Sequence, residues 1–345
     1  MDFTVAGILL LDGVTNGAIY ALLAMAIVLL FAVTRVIFIP QGEYVAFGAL
    51  TVGLFQAGQV PGTVWFLLCL AGAAALLDLV ADLRARRPPA AAAVRALRTL
   101  AFPVAASALA IWLAPQKPPL LVQALLTLAL VTPFGPLVYR LAFRSLAEAS
   151  VLVLLIVSVG VHFALTGLGL FFFGAEGFRN PSFWDARFSI GALSVSGQAL
   201  IILAATAALI VMLWLFFERT LHGKALRATA VNQLGARLMG IPAETAGRLS
   251  FTMAAFIGAL SGLLIGPTTT VFYDSGFLIG LKGFVAAVFA GLASYPAAMA
   301  GALLVGILES FSSFWASAFK EAIVFTFILP VLLWRSLRDP HADEE

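Results

Sequence analysis

Five ionisable side chains stand inside long apolar runs of this sequence: Glu43, Asp78, His162, Lys282 and Glu309. Charge is expensive in such surroundings, so each is a functional candidate. Their spacing points to no hydrolytic or redox chemistry. The three histidines, His162, His222 and His341, are scattered, and the one cysteine, Cys69, leaves neither a metal-ligand spacing nor an intrachain disulfide. No G-x-S-x-G elbow occurs. His222-Gly223-Lys224-Ala225 lacks the first glycine and the hydroxyl residue of a phosphate-binding loop, so the chain is not expected to hydrolyse nucleotide itself. No catalytic set, cofactor or metal is implied, and an enzyme is not expected. Asp78 lies near a helix end, where its carboxylate can snorkel to the interface. His162 reads as a neutral, hydrogen-bonded packing group. Glu309 reads either as a structural polar contact or as part of a pathway or subunit interface.

A membrane must position these residues. The 345-residue chain is 62% hydrophobic and 11% charged, with a mean hydropathy of +1.06. Ordinary soluble domains carry about 25% charged residues. Repeated apolar runs of about 20 residues read as spanning helices. Period-two alternation is absent, which removes a barrel. The fold class is therefore all-α: a polytopic membrane protein with one membrane domain, 1–345. Apolar segments fall at 5–33, 44–58, 63–83, 99–114, 119–139, 148–173, 192–217, 249–272, 277–293, 296–315 and 319–335. The pieces 44–58 and 277–293 are short for a crossing and read as broken or re-entrant. The expected count is thus eight to eleven. Gly258, Gly262 and Gly266 form a small-residue ridge for helix packing. The opening MDFTVAGILLLDG lacks the basic region of a cleavable signal, so the first span is expected to insert and stay.

One hydrophilic stretch breaks the apolar pattern, ERTLHGKALRATAVNQLGARLMGIPAETAGR at 218–248. Alternating the spans places it, the loop 84–98, Arg35, Arg140, Arg144, Arg335 and the tail 336–345 on one side. That side then holds all basic residues but five: Lys117, Arg179, Arg187, Lys282 and Lys320. Short basic loops stay cytoplasmic, so the island and the C-terminus are expected inside and the N-terminus outside. The net charge of +3 is topological in origin and implies no nucleic-acid partner. Ala225, Ala228 and Ala236 favour a short helix in the island, Gly240 should end it and Pro242 should start the next.

Residues 223–241, GKALRATAVNQLGARLMGI, resemble the cytoplasmic loop of bacterial ABC-importer permeases of the branched-chain amino acid type. Gly223, Lys224, Ala225, Arg227, Ala228, Ala230 and Asn232 match in order, then Ala236, Leu238, Gly240 and Ile241. DGVTNGAIYALLAMAIVLLF at 12–31 resembles the family's opening through Gly13, Gly17, Tyr20, Ala21 and Leu22. IFIPQGEYVAFGAL at 37–50 resembles its I-N-F-A-H-G-E element, with Phe38 in place of Asn and Gln41 in place of His. GFLIGLKGFVAAVFAGLASYPAAMAGALLVGILES at 276–310 resembles its G-x-K…E signature, with Lys282 and Glu309 in register. The matches cover 1–58 and about 120–335. Residues from about 70 to 118 look like an inserted helix pair.

The resemblance implies a permease subunit in the bacterial inner membrane. It also implies two cytosolic ABC ATPase subunits, a second permease that is usually a different chain, and an external solute-binding protein. It assigns ATPase coupling to Gly223, Lys224, Ala225, Arg227, Ala228, Asn232, Ala236, Arg237 and Gly240, with Arg227 and Arg237 as the charged contacts. The broken pieces assign the translocation pathway to Gln41, Gly42, Glu43, Lys282 and Glu309. The solute it implies is a branched-chain amino acid, with urea or another small amide as substitute. A stand-alone carrier or channel for a small polar solute is the alternative.

Overall fold

Apolar runs fold as helices here because a bilayer offers the backbone no hydrogen-bond partners of its own. The computed structural model describes residues 3–86, 88–191 and 193–338. Arg87 of the basic loop and the tail from 339 to 345, His341 included, lie outside them. In chain order the helices are α1 (Phe3–Thr34), α2 (Gln41–Ala57), α3 (Gly62–Arg84), α4 (Pro89–Leu113), α5 (Leu120–Val131), α6 (Phe134–Val138) and α7 (Val151–Phe173). A short antiparallel hairpin follows, β1 (Arg187–Ile190) with β2 (Leu193–Ser196), pairing Phe188 with Val195. Then come α8 (Gly197–Arg219), α9 (Leu221–Val231), α10 (Gln233–Leu238), α11 (Ala243–Ile265), α12 (Ser275–Phe289), α13 (Tyr295–Trp315), α14 (Lys320–Thr326) and α15 (Ile328–Arg338).

Among the described residues, eight helical stretches are long and apolar enough to cross a membrane: α1, α3, α4, the composite Leu120–Leu146, α7, α8, α11 and α13. The two pieces expected to be short are α2, with 17 residues, and α12, with 15. The segment 319–335, expected as one span, is instead two short helices. Pro330 supplies no N–H to the Thr326 carbonyl, so the helix breaks there and restarts with Pro330 in the first turn of α15. The loop 84–98 also differs: α4 begins at Pro89, because proline suits a first helical position and the alanines after it favour helix. Asp78 does not snorkel alone. It is buried and ion-paired with Arg140, which reaches it from the π-helical turn Tyr139–Phe143. Asp82 pairs with Arg95 of α4 at 2.9 Å, so one carboxylate of α3 ties it to α4 and the other ties the α3–α4 hairpin to the neighbouring turn.

The centre of the bundle is α1, buried without a break from Gly17 to Leu30. Glycines let its neighbours approach. A Cβ at Gly17 would meet the backbone of Leu303, and one at Gly13 that of Ile307, so α1 and α13 run antiparallel in close contact. The ridge Gly258–Gly262–Gly266 meets Tyr44, Val45 and Asn180, which sets α11 beside α2. Helix α2 is buried from Gln41 to Phe55. Its non-helical approach, 35–40, is satisfied from within the protein: Ile39 N–H donates to Ser158 Oγ at 2.8 Å. Phe38 packs against Tyr44, Phe143 and Phe251, so it fills the core. Polar side chains also tie neighbouring elements to mid-helix carbonyls: Gln41 Nε2 donates to the Ala254 carbonyl at 2.9 Å and Asn180 Nδ2 to that of Ala49 at 3.0 Å.

Gly17→Leu is expected to lower stability by about 1–3 kcal/mol through overpacking. Thermal unfolding of the detergent-purified protein reads this. Gly72→Leu, where a Cβ meets nothing, should leave the midpoint unchanged.

Candidate functional site

Functional candidates gather at two ends of the bundle. One end holds a polar cavity of about 720 Å³, where α1 and α8 begin and α11 and α13 finish. This volume suits a small solute. Helix α1 contributes Asp12, Asn16 and Tyr20, the segment after α11 contributes Thr268–Thr270, and α12 contributes Ser275 and Lys282. Glu309 and Ser313 come from α13, Lys320 and Glu321 from α14. The first turns of α12 and α14 face this space because both helices are short and start within the bundle.

Lys282 and Glu309, far apart in sequence, are ion-paired at 2.5 Å. Both are buried. Lys282 Nζ also donates to Glu321 Oε1 at 3.1 Å, and Tyr20 O–H donates to Glu309 Oε2 at 2.6 Å. The ammonium lies 5.7 Å from the centre of the Tyr20 ring. One network thus joins α1, α12, α13 and α14.

Gln41, Gly42 and Glu43 do not line this cavity. Glu43 is buried, with Oε1 at 2.6 Å from His162 Nδ1 of α7. His162 is therefore hydrogen-bonded, as expected, and its partner is one of the other four intramembrane candidates. Gly42 sits where a side chain would overlap the Gly276 carbonyl, which lets α2 cross the first turn of α12. The structure therefore places the five expected pathway residues in two clusters, Lys282 with Glu309 and Glu43 with its helix-crossing neighbours.

The other end carries the island. It folds as two short helices where one was expected. Asn232 is extended, ends α9 and caps α10 by accepting from Gly235 N–H at 2.8 Å. Thr220 caps α9 by accepting from Gly223 N–H at 3.0 Å. Gly240, at φ +83°, terminates the pair, and α11 starts after Pro242. The inner face is tied down: Leu226 packs with Leu29, Val33 and Ala246, and Gln233 Nε2 donates to the Val33 carbonyl at 2.8 Å. Gly223 and Ala236 are buried, while Lys224, Ala225 and Ala228 lie at or near the surface. Arg227 pairs with Glu218 and Arg237 with Glu148, each at 2.7 Å, so both arginines are engaged within the chain. The outer face carries large apolar side chains among its charged ones: Leu221, Val231, Leu234, Leu238 and Met239 are each at least 69% exposed.

Sequence reasoning did not single out Asp12, Asn16, Glu321 or this apolar ledge. Tyr20 lay within a matched motif, and Glu321 beside Lys320 interrupts an apolar run, so both left a signal. Asp12 and Asn16 look like ordinary breaks until α12 and α14 are placed beside them. Among the described residues no three His, Cys, Asp or Glu side chains are grouped to hold a metal ion.

The family described as the permease component of branched-chain amino acid transport systems matches residues 98–333. The high-affinity branched-chain amino acid transport system permease protein BraD of Pseudomonas aeruginosa is 29% identical over 216 residues, covering 61% of this chain and 70% of BraD. The corresponding permease protein LivH of Escherichia coli K12 is 29% identical over 213 residues, covering 60% of this chain and 69% of LivH. Among solved structures, PsaBC from Streptococcus pneumoniae in complex with Fab aligns over 93% of this chain and 89% of its own, at TM-score 0.39 and 14% identity.

Replacing one member of a buried ion pair strands the other, at about 3–5 kcal/mol. Lys282→Met is expected to destabilise the protein on that scale, because it leaves Glu309 and Glu321 without their cation. Lys282→Met with Glu309→Gln should recover a large part. A double-mutant cycle on thermal unfolding measures the coupling, and additive effects would contradict it.

Proposed function

This chain belongs to the family of branched-chain amino acid transport permeases, and we propose that it is the membrane subunit of a binding-protein-dependent importer driven by separate ATPase chains. The solute class is a branched-chain amino acid or a similar small polar molecule. Two cytosolic ATPase subunits, a second and different permease chain and an external binding protein complete the assembly. The end bearing the island faces the cytosol, because most basic residues lie there and short basic loops are retained inside. The cavity of Asp12, Lys282 and Glu309 then opens outward, where a binding protein delivers solute.

The observation that carries this reading is the apolar ledge on 221–239. Large exposed apolar patches mark interaction sites. This one lies outside the eight spanning stretches, on a segment rich in polar residues, and its inner face is anchored to α1 and α11. A stand-alone carrier has no use for such a ledge. The apolar side chains supply contact with the ATPase. Arg227 and Arg237 act as positioning residues, since their intrachain carboxylates set the angle of α9 and α10. Movement of the ledge passes directly to α1 through Leu226 and Gln233, and to α8 and α11 through the chain itself.

Leu238→Glu is expected to cost about 2 kcal/mol at the interface, or about thirtyfold in affinity for the ATPase pair. Co-purification from detergent-solubilised membranes measures it. Arg227→Ala should weaken capture less. Full capture by Leu238→Glu, or uptake that survives ATP depletion and collapses with the proton gradient, would falsify the coupled-importer reading.

A further inference from the structure

A second cavity, of about 700 Å³, lies at the island's end of the bundle, and its walls are mostly apolar. Helix α1 contributes Met25 and Leu29, α8 contributes Leu213 and Trp214, and the turn into α13 contributes Leu292 and Tyr295. Arg35, just past α1, and Arg227 of α9 stand at the end nearest the island. From Met25 to Arg35 the chain rises about 15 Å. That is the depth of one leaflet, half of a hydrocarbon core about 30 Å thick. Trp214 is 57% exposed, so the groove opens at the surface of the bundle. Among the described residues no Asp or Glu lines it, whereas two arginines do. Arg227 is paired with Glu218. Arg35 has no ion-pair partner among the described residues and rests over the Phe31 ring at 5.8 Å.

We propose that this groove holds one anionic phospholipid, with its phosphate on Arg35 and Arg227 and an acyl chain lying along α1 and α8. A guanidinium presents paired donors that match phosphate oxygens. Basic pockets between helices on the cytoplasmic side attract anionic headgroups. A tryptophan at the groove's edge suits the level where headgroups meet hydrocarbon. Assignment to the inner leaflet rests on the reading of the island's end as cytosolic. A lipid brings both a phosphate at the depth of Arg35 and a flexible chain that follows irregular apolar walls. A rigid spanning helix of a second permease brings neither. The lipid would touch α1, α8 and α9 together and so brace the island against the bundle.

The test is native mass spectrometry of the detergent-purified full chain, alone and in the assembled importer, after equilibration with equimolar dioleoyl phosphatidylglycerol and dioleoyl phosphatidylcholine. Retention of phosphatidylglycerol is expected to exceed that of phosphatidylcholine about fivefold, the gain from one arginine near a headgroup. Arg35→Gln should remove most of that preference and Arg35→Lys should keep it. Arg35 is exposed, so both variants should unfold at the wild-type midpoint. Ala32→Phe, which narrows the groove, should lose the retained lipid. Equal retention of the two lipids, or a preference unmoved by Arg35→Gln, would overturn the lipid site. Retention by the chain alone that vanishes in the assembled importer would also overturn it and would give the groove to the second permease. The leaflet is tested separately with Ala293→Cys, which lines the groove, in a Cys69→Ala background. An impermeant maleimide should label it only after cells are permeabilised. Labelling in intact cells would overturn the cytosolic placement, and the inner leaflet with it, whatever the lipid preference.

Discussion

A lysine buried among membrane helices must be neutralised where it stands, and the pairing of Lys282 with Glu309 does this. Low local dielectric makes the bond strong and makes its loss severe. Tyr20 orients the carboxylate and Glu321 takes a second ammonium proton. Four helices therefore share one polar junction at the wall of the cavity. Helix α12 can be short because its lysine is anchored to α13 and its glycines admit α2 and α1 at close range.

Helix α1 carries this junction to the far end of the molecule. Its 32 residues extend about 48 Å at the helical rise. Asp12, Asn16 and Tyr20 face the cavity near its start. Leu29 and Val33 pack on Leu226 of the island near its end, where the Val33 carbonyl also receives Gln233. The cavity and the island are thus joined by one continuous helix. Close packing along α13, where Gly13 and Gly17 replace larger side chains, grips the first half of that element.

Ion pairs organise the periphery at the island's end. Arg140 meets Asp78, Arg144 meets Glu244 at 3.1 Å, and Glu148 meets Arg237 at 2.7 Å. One joint, 140–148, therefore touches the α3–α4 hairpin, the start of α11 and the island together. The two exposed pairs, Arg144–Glu244 and Arg237–Glu148, contribute little to stability singly. Their geometry is what counts, because they set the island's angle relative to the bundle. The hairpin's outer face, with Leu76, Leu83, Leu97 and Trp112 exposed, is suited to lipid.

Composition and periodicity alone determined that this is a helical membrane protein, where most of its spans fall, and that 218–248 is its polar island. Those properties are local: a run of about 20 apolar residues has no alternative in a bilayer. The ordered motifs brought Lys282 and Glu309 into view but not their contact, which spans 27 positions. Only the tertiary structure decided which charges meet. It seated Glu43 on His162, drew Asp78 to Arg140, and turned Arg227 and Arg237 back onto their own chain. The reason is physical. Periodicity reports which residues leave water, while pairing depends on where helices cross, and the crossings are set by close approaches such as Gly17 on Leu303 and Gly42 on Gly276.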